Sequence, residues 1–328
     1  MVATRRLAPI REHDNPINSP FFRGLARTIK NSYSLHDTTP RLTSTRMREP
    51  DIILAMDKSS VNYLADHFRS FPSIFIQTGG GPFIHPKLYQ DSLPDSLQSM
   101  LTLCNSYTHL DPSDHNLSVD ICNASRTLLG LRPTLHSFKA ELGFVQSLIL
   151  LQIITLFAPS PPITPLLRQQ ADNRVPLLKA SVEELYRSMP ATLPSSMPPY
   201  EAWVLAESCR RTMHVAHLVH GVYLMQTRGT FNLTMFVKAL PLCRNVGLWE
   251  LDPSIYNEQG GNLGDQNGNV RALGAELISY RELTDMWDND EVQQLHLFEE
   301  MLIAACKGID SVTEKFLDCH SPPVNPKW

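Results

Sequence analysis

Along most of this chain apolar side chains recur every three or four positions, the spacing that lines one face of an α-helix, and prolines stand mainly between the periodic runs. The clearest run follows Pro198-Pro199. Trp203, Ala206, Met213 and Ala216, then Val219, Val222 and Tyr223, fall on one stripe, and Glu201 suits the positive end of a helix. Leu142, Val145, Ile149, Ile153 and Leu156 make a second stripe. A first helix carrying Tyr63, Leu64, His67 and Phe68 is predicted to begin near Asp57, with Ser59 or Ser60 as its cap. Further helices are predicted over about 95–110, 113–130, 134–158, 170–188, 199–227, 230–246 and 274–318. Strand signals are scarce: only Ser73–Ile76, before Gly79-Gly80-Gly81, looks extended, and it reads as a loop edge. Asn257–Asn269 has the Gly and Asn content of a surface loop. No solenoid repeat is visible. The fold class predicted is all-α, with one helical domain over residues 56–328 and a disordered arm over residues 1–55.

Composition supports a large core, since 42% of the 328 residues are hydrophobic. The net charge is −4, yet residues 1–50 hold nine basic and four acidic side chains. These charges are dispersed and lack an apolar pattern, as in a disordered polar tail. Such an arm can touch phosphate loosely and in a salt-sensitive way, but no Lys/Arg-rich run marks an import signal. No apolar core follows the first charged residues, so no secretory leader is read there. The apolar run from Leu142 to Ala158 is broken by Gln146 and Gln152 and closed by Pro159, at the short limit for a membrane span. It reads as a buried helix, and no membrane association is expected. Sequons at Asn116, Asn123 and Asn232 therefore carry no weight, and scattered cysteines suit a reducing compartment.

Candidate chemistry is thin. His214, His217 and His220 lie three apart on the best helix, so neighbouring pairs could share a metal, but no third ligand converges with them. Gly79-Gly80-Gly81-Pro82 lacks the Gly-Lys-Ser/Thr ending of a phosphate cradle and reads as a turn. The acidic cluster Asp285–Glu291 is the one stretch that could hold magnesium, as in helical terpene cyclases, which makes an all-α magnesium-dependent enzyme the alternative. The second metal motif of such enzymes is not found, nor is any serine-hydrolase, zinc-protease or dinucleotide fingerprint. No cofactor and no enzymatic activity are expected. From Leu283 to Glu300 acidic residues interleave with apolar ones, a composition that docks into partner grooves; Trp287, Leu295 and Phe298 are the candidate coactivator contacts. An ordinary helix packed on the domain has the same pattern.

The unusual cluster is Trp203, Glu207, Arg210, Arg211 and Thr212. Glu207 precedes the arginines by three and four residues, so it can pair with either on one helical face; the pairing matters little in solvent and a great deal if buried. The string W-x-x-A-E-S-x-R-R-T, followed by L-P-L-C-x-x-x-x-L-W-E at Leu240–Glu250, resembles the regulatory (middle homology) region of fungal zinc-cluster transcription factors. Phe83-Ile84-His85-Pro86, Leu88-Tyr89, Leu93-Pro94, Leu103-Cys104, Tyr107 and the glutamine-punctuated helix at Phe144–Ile153 agree in order, so the resemblance covers residues 61 to about 298. It implies a helical regulatory module, a nuclear location, and partners that are transcriptional coactivators or full-length zinc-cluster factors, met as a homo- or heterodimer. Control of a metabolic or secondary-metabolite gene cluster belongs to the same expectation. The cluster from Trp203 to Thr212 is expected to be structural. The family's DNA-reading head is a six-cysteine zinc cluster built on C-x2-C pairs. Cys104, Cys122, Cys209, Cys243, Cys306 and Cys319 contain no such pair, so neither zinc binding nor direct specific DNA binding is expected of these residues.

Overall fold

Asp57 starts the first helix: its carboxylate accepts the backbone N–H of Ser60 at 2.7 Å. The cap thus lies ahead of both serines, because a carboxylate satisfies the orphan N–H groups and meets the positive helix end at once. Ser60 instead accepts the backbone N–H of Ile309 at 2.8 Å and ties the two ends of the domain together. The computed structural model describes residues 52–54, 56–109, 116–131, 137–158, 163–189, 197–233, 235–251, 253–254, 277–292 and 295–315. The basic arm over residues 1–50, the Asn257–Asn269 stretch and Cys319 lie outside them.

The architecture is all-α. In chain order come β1 (Ile52–Leu54), α1 (Lys58–Thr78), α2 (Asp95–Thr108), α3 (Asn116–Leu131), α4 (Phe138–Phe157), α5 (Pro165–Ser188) and α6 (Pro199–Arg228). Then follow β2 (Phe231–Leu233), α7 (Met235–Ala239), β3 (Pro241–Cys243), a 3-10 turn (Val246–Glu250), β4 (Leu277–Ser279), α8 (Tyr280–Asp288), α9 (Leu297–Lys307) and α10 (Ile309–Lys315). Helix α4 is the axis. Every residue from Leu142 to Phe157 is buried, against α5, α2, α6, α1 and α3. Among the described residues it is the one helix long and apolar enough to cross a membrane, and here protein covers that apolar surface. Its C-terminal carbonyls are met by two arginines. Arg69 of α1 donates to Phe157 O at 2.6 Å, and Arg168 of α5 donates to Leu156 O at 2.6 Å and Ala158 O at 2.7 Å. Cations there satisfy both the orphan acceptors and the negative helix end.

The structure departs from the sequence reading at three places. Ser73–Ile76 is not extended but lies inside α1, where Phe71, Pro72 and Phe75 are buried; a short apolar run cannot be assigned by periodicity alone. Gly79, at φ 68°, ends that helix, and a Cβ on Gly80 would fall 2.6 Å from the Pro86 ring and 2.7 Å from Ile84 O, so the glycine run is a close-packed turn. The helix predicted over 230–246 is broken into β2, α7 and β3, because Gly229 at φ 70° stops α6 and the following residues enter an antiparallel pair with β1. The helix predicted over 274–318 becomes β4 and three helices. Ser279 and Glu282 form a reciprocal capping box that restarts the chain as α8, Asp290 takes a positive φ of 58° just beyond it, and Gly308 at φ 87° separates α9 from α10. β3 pairs antiparallel with β4, Leu242 opposite Ile278, and among the C-terminal helices α9 packs against α6.

Candidate functional site

Helix α6 owes its 30 residues to Pro199 in its first turn and Gly229 beyond its last, and it is buried along most of its length rather than on one stripe. The five residues of the sequence cluster are all inside: Glu207 and Thr212 have no exposed surface, Arg211 has 2%, Arg210 5% and Trp203 6%. Glu207 accepts Arg210 Nε at 2.8 Å on one oxygen and Arg211 Nε at 3.0 Å on the other. Arg211 then reaches off its own helix, donating Nη2 to Glu299 Oε1 of α9 at 2.8 Å and Nη1 to the Pro82 carbonyl at 3.4 Å. Its guanidinium lies 4.3 Å from the ring centres of both Trp249 and Phe298. Two flat faces and a fork of donors are thereby used together, which a lysine could not reproduce.

The two carboxylates differ although they share Arg211. Burial pushes the Glu207 pKa up, but two guanidiniums and their hydrogen bonds outweigh it and hold the value below the ordinary range. Glu299 is pushed up by burial, with one guanidinium and the nearby Glu207 charge acting against each other, and its second oxygen has no hydrogen-bond partner among the described residues.

Around this network the other segments of the resemblance converge. Thr212 donates to Ser208 O at 2.6 Å, and Gln146 of α4 donates to Thr212 Oγ1 at 3.2 Å and Phe83 O at 3.0 Å while accepting Tyr89 OH at 2.8 Å. Trp249 Nε1 donates to Gly81 O at 3.2 Å, and its carbonyl lies 3.1 Å from His85 Nε2. The Lys87 N–H donates to His85 Nδ1 at 3.0 Å, so Nε2 carries the proton and the imidazole is neutral. Burial drives its pKa down to about 4, with the Trp249 carbonyl opposing and Arg211 and Lys87 adding. The rings of His85 and Trp249 meet edge to face at 4.7 Å, Trp203 meets Trp249 edge to face at 6.4 Å, and Tyr200 lies tilted against Trp203 at 6.1 Å. Beside Arg211 and Trp249 the surface opens into a cleft of about 470 Å³.

Sequence reasoning missed Glu299 as the second counter-ion. The available signal was a Glu299-Glu300 pair between Phe298 and Met301-Leu302-Ile303, carboxylates in a helix too apolar to leave them in water. Glu300 is buried as well and accepts from Tyr63 OH. The convergence of the four segments carried no local signal.

Other candidates are placed differently. Trp287, Leu295 and Phe298, expected as exposed coactivator contacts, are core residues with 2%, 7% and 2% of their surface exposed, which corrects that expectation. Trp287 donates to Ser311 Oγ at 3.0 Å and Phe298 covers Arg211, because the acidic residues between them point outward and leave the apolar ones to pack. Asp285, Asp288 and Asp290 face three different cations, Arg281, Lys307 and Lys315. Among the described residues no group of His, Cys, Asp and Glu side chains is arranged to hold a metal ion. His214 lies 3.2 Å from Pro241 O through Nε2, and it lines with His217 a cavity of about 20 Å³, room for one water. Burial lowers both pKa values to about 4. Cys104, Cys209 and Cys243 are buried, Cys122 is exposed, and none of the described cysteines is in a disulfide.

Comparison with known proteins adds one relative. The Penicillium aethiopicum protein named Transcription factor gsfR2 is 29% identical over 224 residues, which covers 64% of this chain and 50% of that protein. The chain therefore spans about half the length of the curated relative it matches. No family model matches the chain, and no solved structure matches it.

Proposed function

We propose that the chain is the helical regulatory domain of a fungal transcription factor, working by binding protein partners rather than by catalysis. The observation that carries this reading is that three sequence segments that resemble those of zinc-cluster regulators, Phe83–Pro86, Trp203–Thr212 and Leu240–Glu250, meet at one place in the fold, around Arg211 and Trp249. Similarity to a protein named as a transcription factor supports the same reading. The partners are transcriptional coactivators or full-length zinc-cluster factors, the site of action is the nucleus, and the regulated genes form a metabolic or secondary-metabolite cluster. Specific DNA reading by these residues is not part of the proposal, since no paired-cysteine zinc site is present among them. A magnesium-dependent helical enzyme is disfavoured by an acidic cluster whose carboxylates turn to separate cations.

The test is a fusion of the whole chain to an unrelated DNA-binding domain, which is expected to change transcription of a reporter carrying that domain's sites. A silent reporter, together with magnesium-dependent turnover of an isoprenoid diphosphate that is lost in Asp285→Asn and Asp288→Asn, would replace the regulator with the helical enzyme.

A further inference from the structure

We infer that the cleft beside Arg211 is a small-molecule site, and that it takes a planar aromatic molecule carrying one anionic group, a carboxylate or phenolate. Its volume, about 470 Å³, falls inside the span of roughly 300–1,000 Å³ typical of such sites. Three elements contribute flat or apolar wall: Tyr200 from the start of α6, Trp249 from the 3-10 turn, and Leu297 from the start of α9. Flat rings offer stacking area at little entropic cost, which favours a planar aromatic occupant over a flexible chain.

The charges choose the sign. Arg211 lies at the inner end of the cleft with its charge already balanced by Glu207 and Glu299. Lys87 is exposed at the rim and makes no ion pair among the described residues. Glu250, the one carboxylate of the lining among the described residues, has His296 Nδ1 at 3.2 Å. His85 is neutral with both ring nitrogens bonded to backbone. One uncommitted cation beside committed anions and neutral rings suits a single negative group. It does not suit a polyphosphate, which needs several cations or a metal, nor a cation. A molecule held there touches α6, the 3-10 turn and α9 together, so its binding would couple the elements that Arg211 already joins.

The test uses the purified full chain with 2-naphthoate as probe, and 2-naphthalenemethanol and cyclohexanecarboxylate as comparators lacking the charge or the ring. Titration is followed by calorimetry, alongside circular dichroism of each variant. Saturable binding of naphthoate, about tenfold tighter than either comparator, is the expected result. Lys87→Ala, at an exposed side chain, lowers naphthoate affinity by about tenfold and leaves the alcohol unchanged. Thr78→Trp, which fills the cleft from the end of α1, abolishes both. Three results overturn the assignment: no saturable binding of naphthoate up to about 1 mM, equal affinity for all three molecules, or affinity untouched by Lys87→Ala. Binding is read on purified protein, so its failure is distinguishable from a silent reporter.

Discussion

Arg211 is the residue on which most of the domain's polar interior turns. It binds one carboxylate from its own helix and one from α9, and two aromatic rings close over its faces. Removing a partner from such a set leaves a charge stranded without water. Glu207→Ala is therefore expected to cost about 3–5 kcal/mol in urea unfolding, far above the fraction of a kcal/mol for a solvated pair. In a double-mutant cycle Glu207→Gln and Arg211→Met should couple strongly; additive effects would mean that the two charges do not support one another. Arg211→Lys should lose nearly as much as Arg211→Met, because an ammonium cannot serve Glu207, Glu299 and Pro82 O at once. The spacing of Glu207 and Arg211 was legible in the sequence, as was their tendency to pair. Their burial, and the role of Glu299, were not, since a Glu-x-x-Arg-Arg string is the same on an exposed helix.

At the scale of elements, boundaries follow from local chemistry and locations do not. The Ser279–Glu282 capping box restarts the chain as α8. Ser279→Ala should lower stability by about 1 kcal/mol, seen as a shifted melting midpoint with unchanged helix content. Gly80→Ala should cost more, about 1–3 kcal/mol, because the new methyl meets the Pro86 ring and the Ile84 carbonyl, neither of which can move without disturbing the turn beneath Trp249. The long helices α2, α3, α4 and α6 were readable because their apolar periods run for several turns without an internal proline, whereas α5 starts at Pro165, before its predicted start, and carries Pro176 inside it. The region after Gly229 was not: its short apolar runs suit helix and strand alike, and pairing with distant partners decided for β2, β3 and β4.

For the whole molecule the buried histidines set the response to acid. His85, His214 and His217 each sit near a pKa of about 4 in the fold, chiefly through burial, against about 6.5 in the unfolded chain. As pH falls from 6.5 the unfolded chain takes up protons that the folded one refuses, so stability is full above about 6.5, falls between 6.5 and 4, and levels below 4 for these groups. Glu207, held below the ordinary range, extends the loss to lower pH, whereas Glu299, held above it, opposes the loss. Urea midpoints across pH 4 to 8 should show a decline on the order of several kcal/mol, reduced in His214→Gln. Midpoints flat across that range would mean that these imidazoles are solvated. Metal analysis of the purified chain should find no stoichiometric zinc, since the described cysteines lie on separate elements.

What the sequence determined by itself is local: the all-α class, the existence and approximate extent of the long helices, and the face on which Glu207 meets its arginines. These depend on side chains within a few turns of one another, and helical period and capping act over that distance. Tertiary structure decided what those patterns were for. It made the apolar run at Leu142–Phe157, already legible as a buried helix, the axis that five other helices surround, and drew Trp287 and Phe298 inward from a composition that equally suits an exposed docking helix. It also set Glu299, 88 residues from Arg211, beside it. Burial and long-range contact are properties of the assembled chain, because water is excluded only when distant segments close over a side chain, and no window of sequence contains that event.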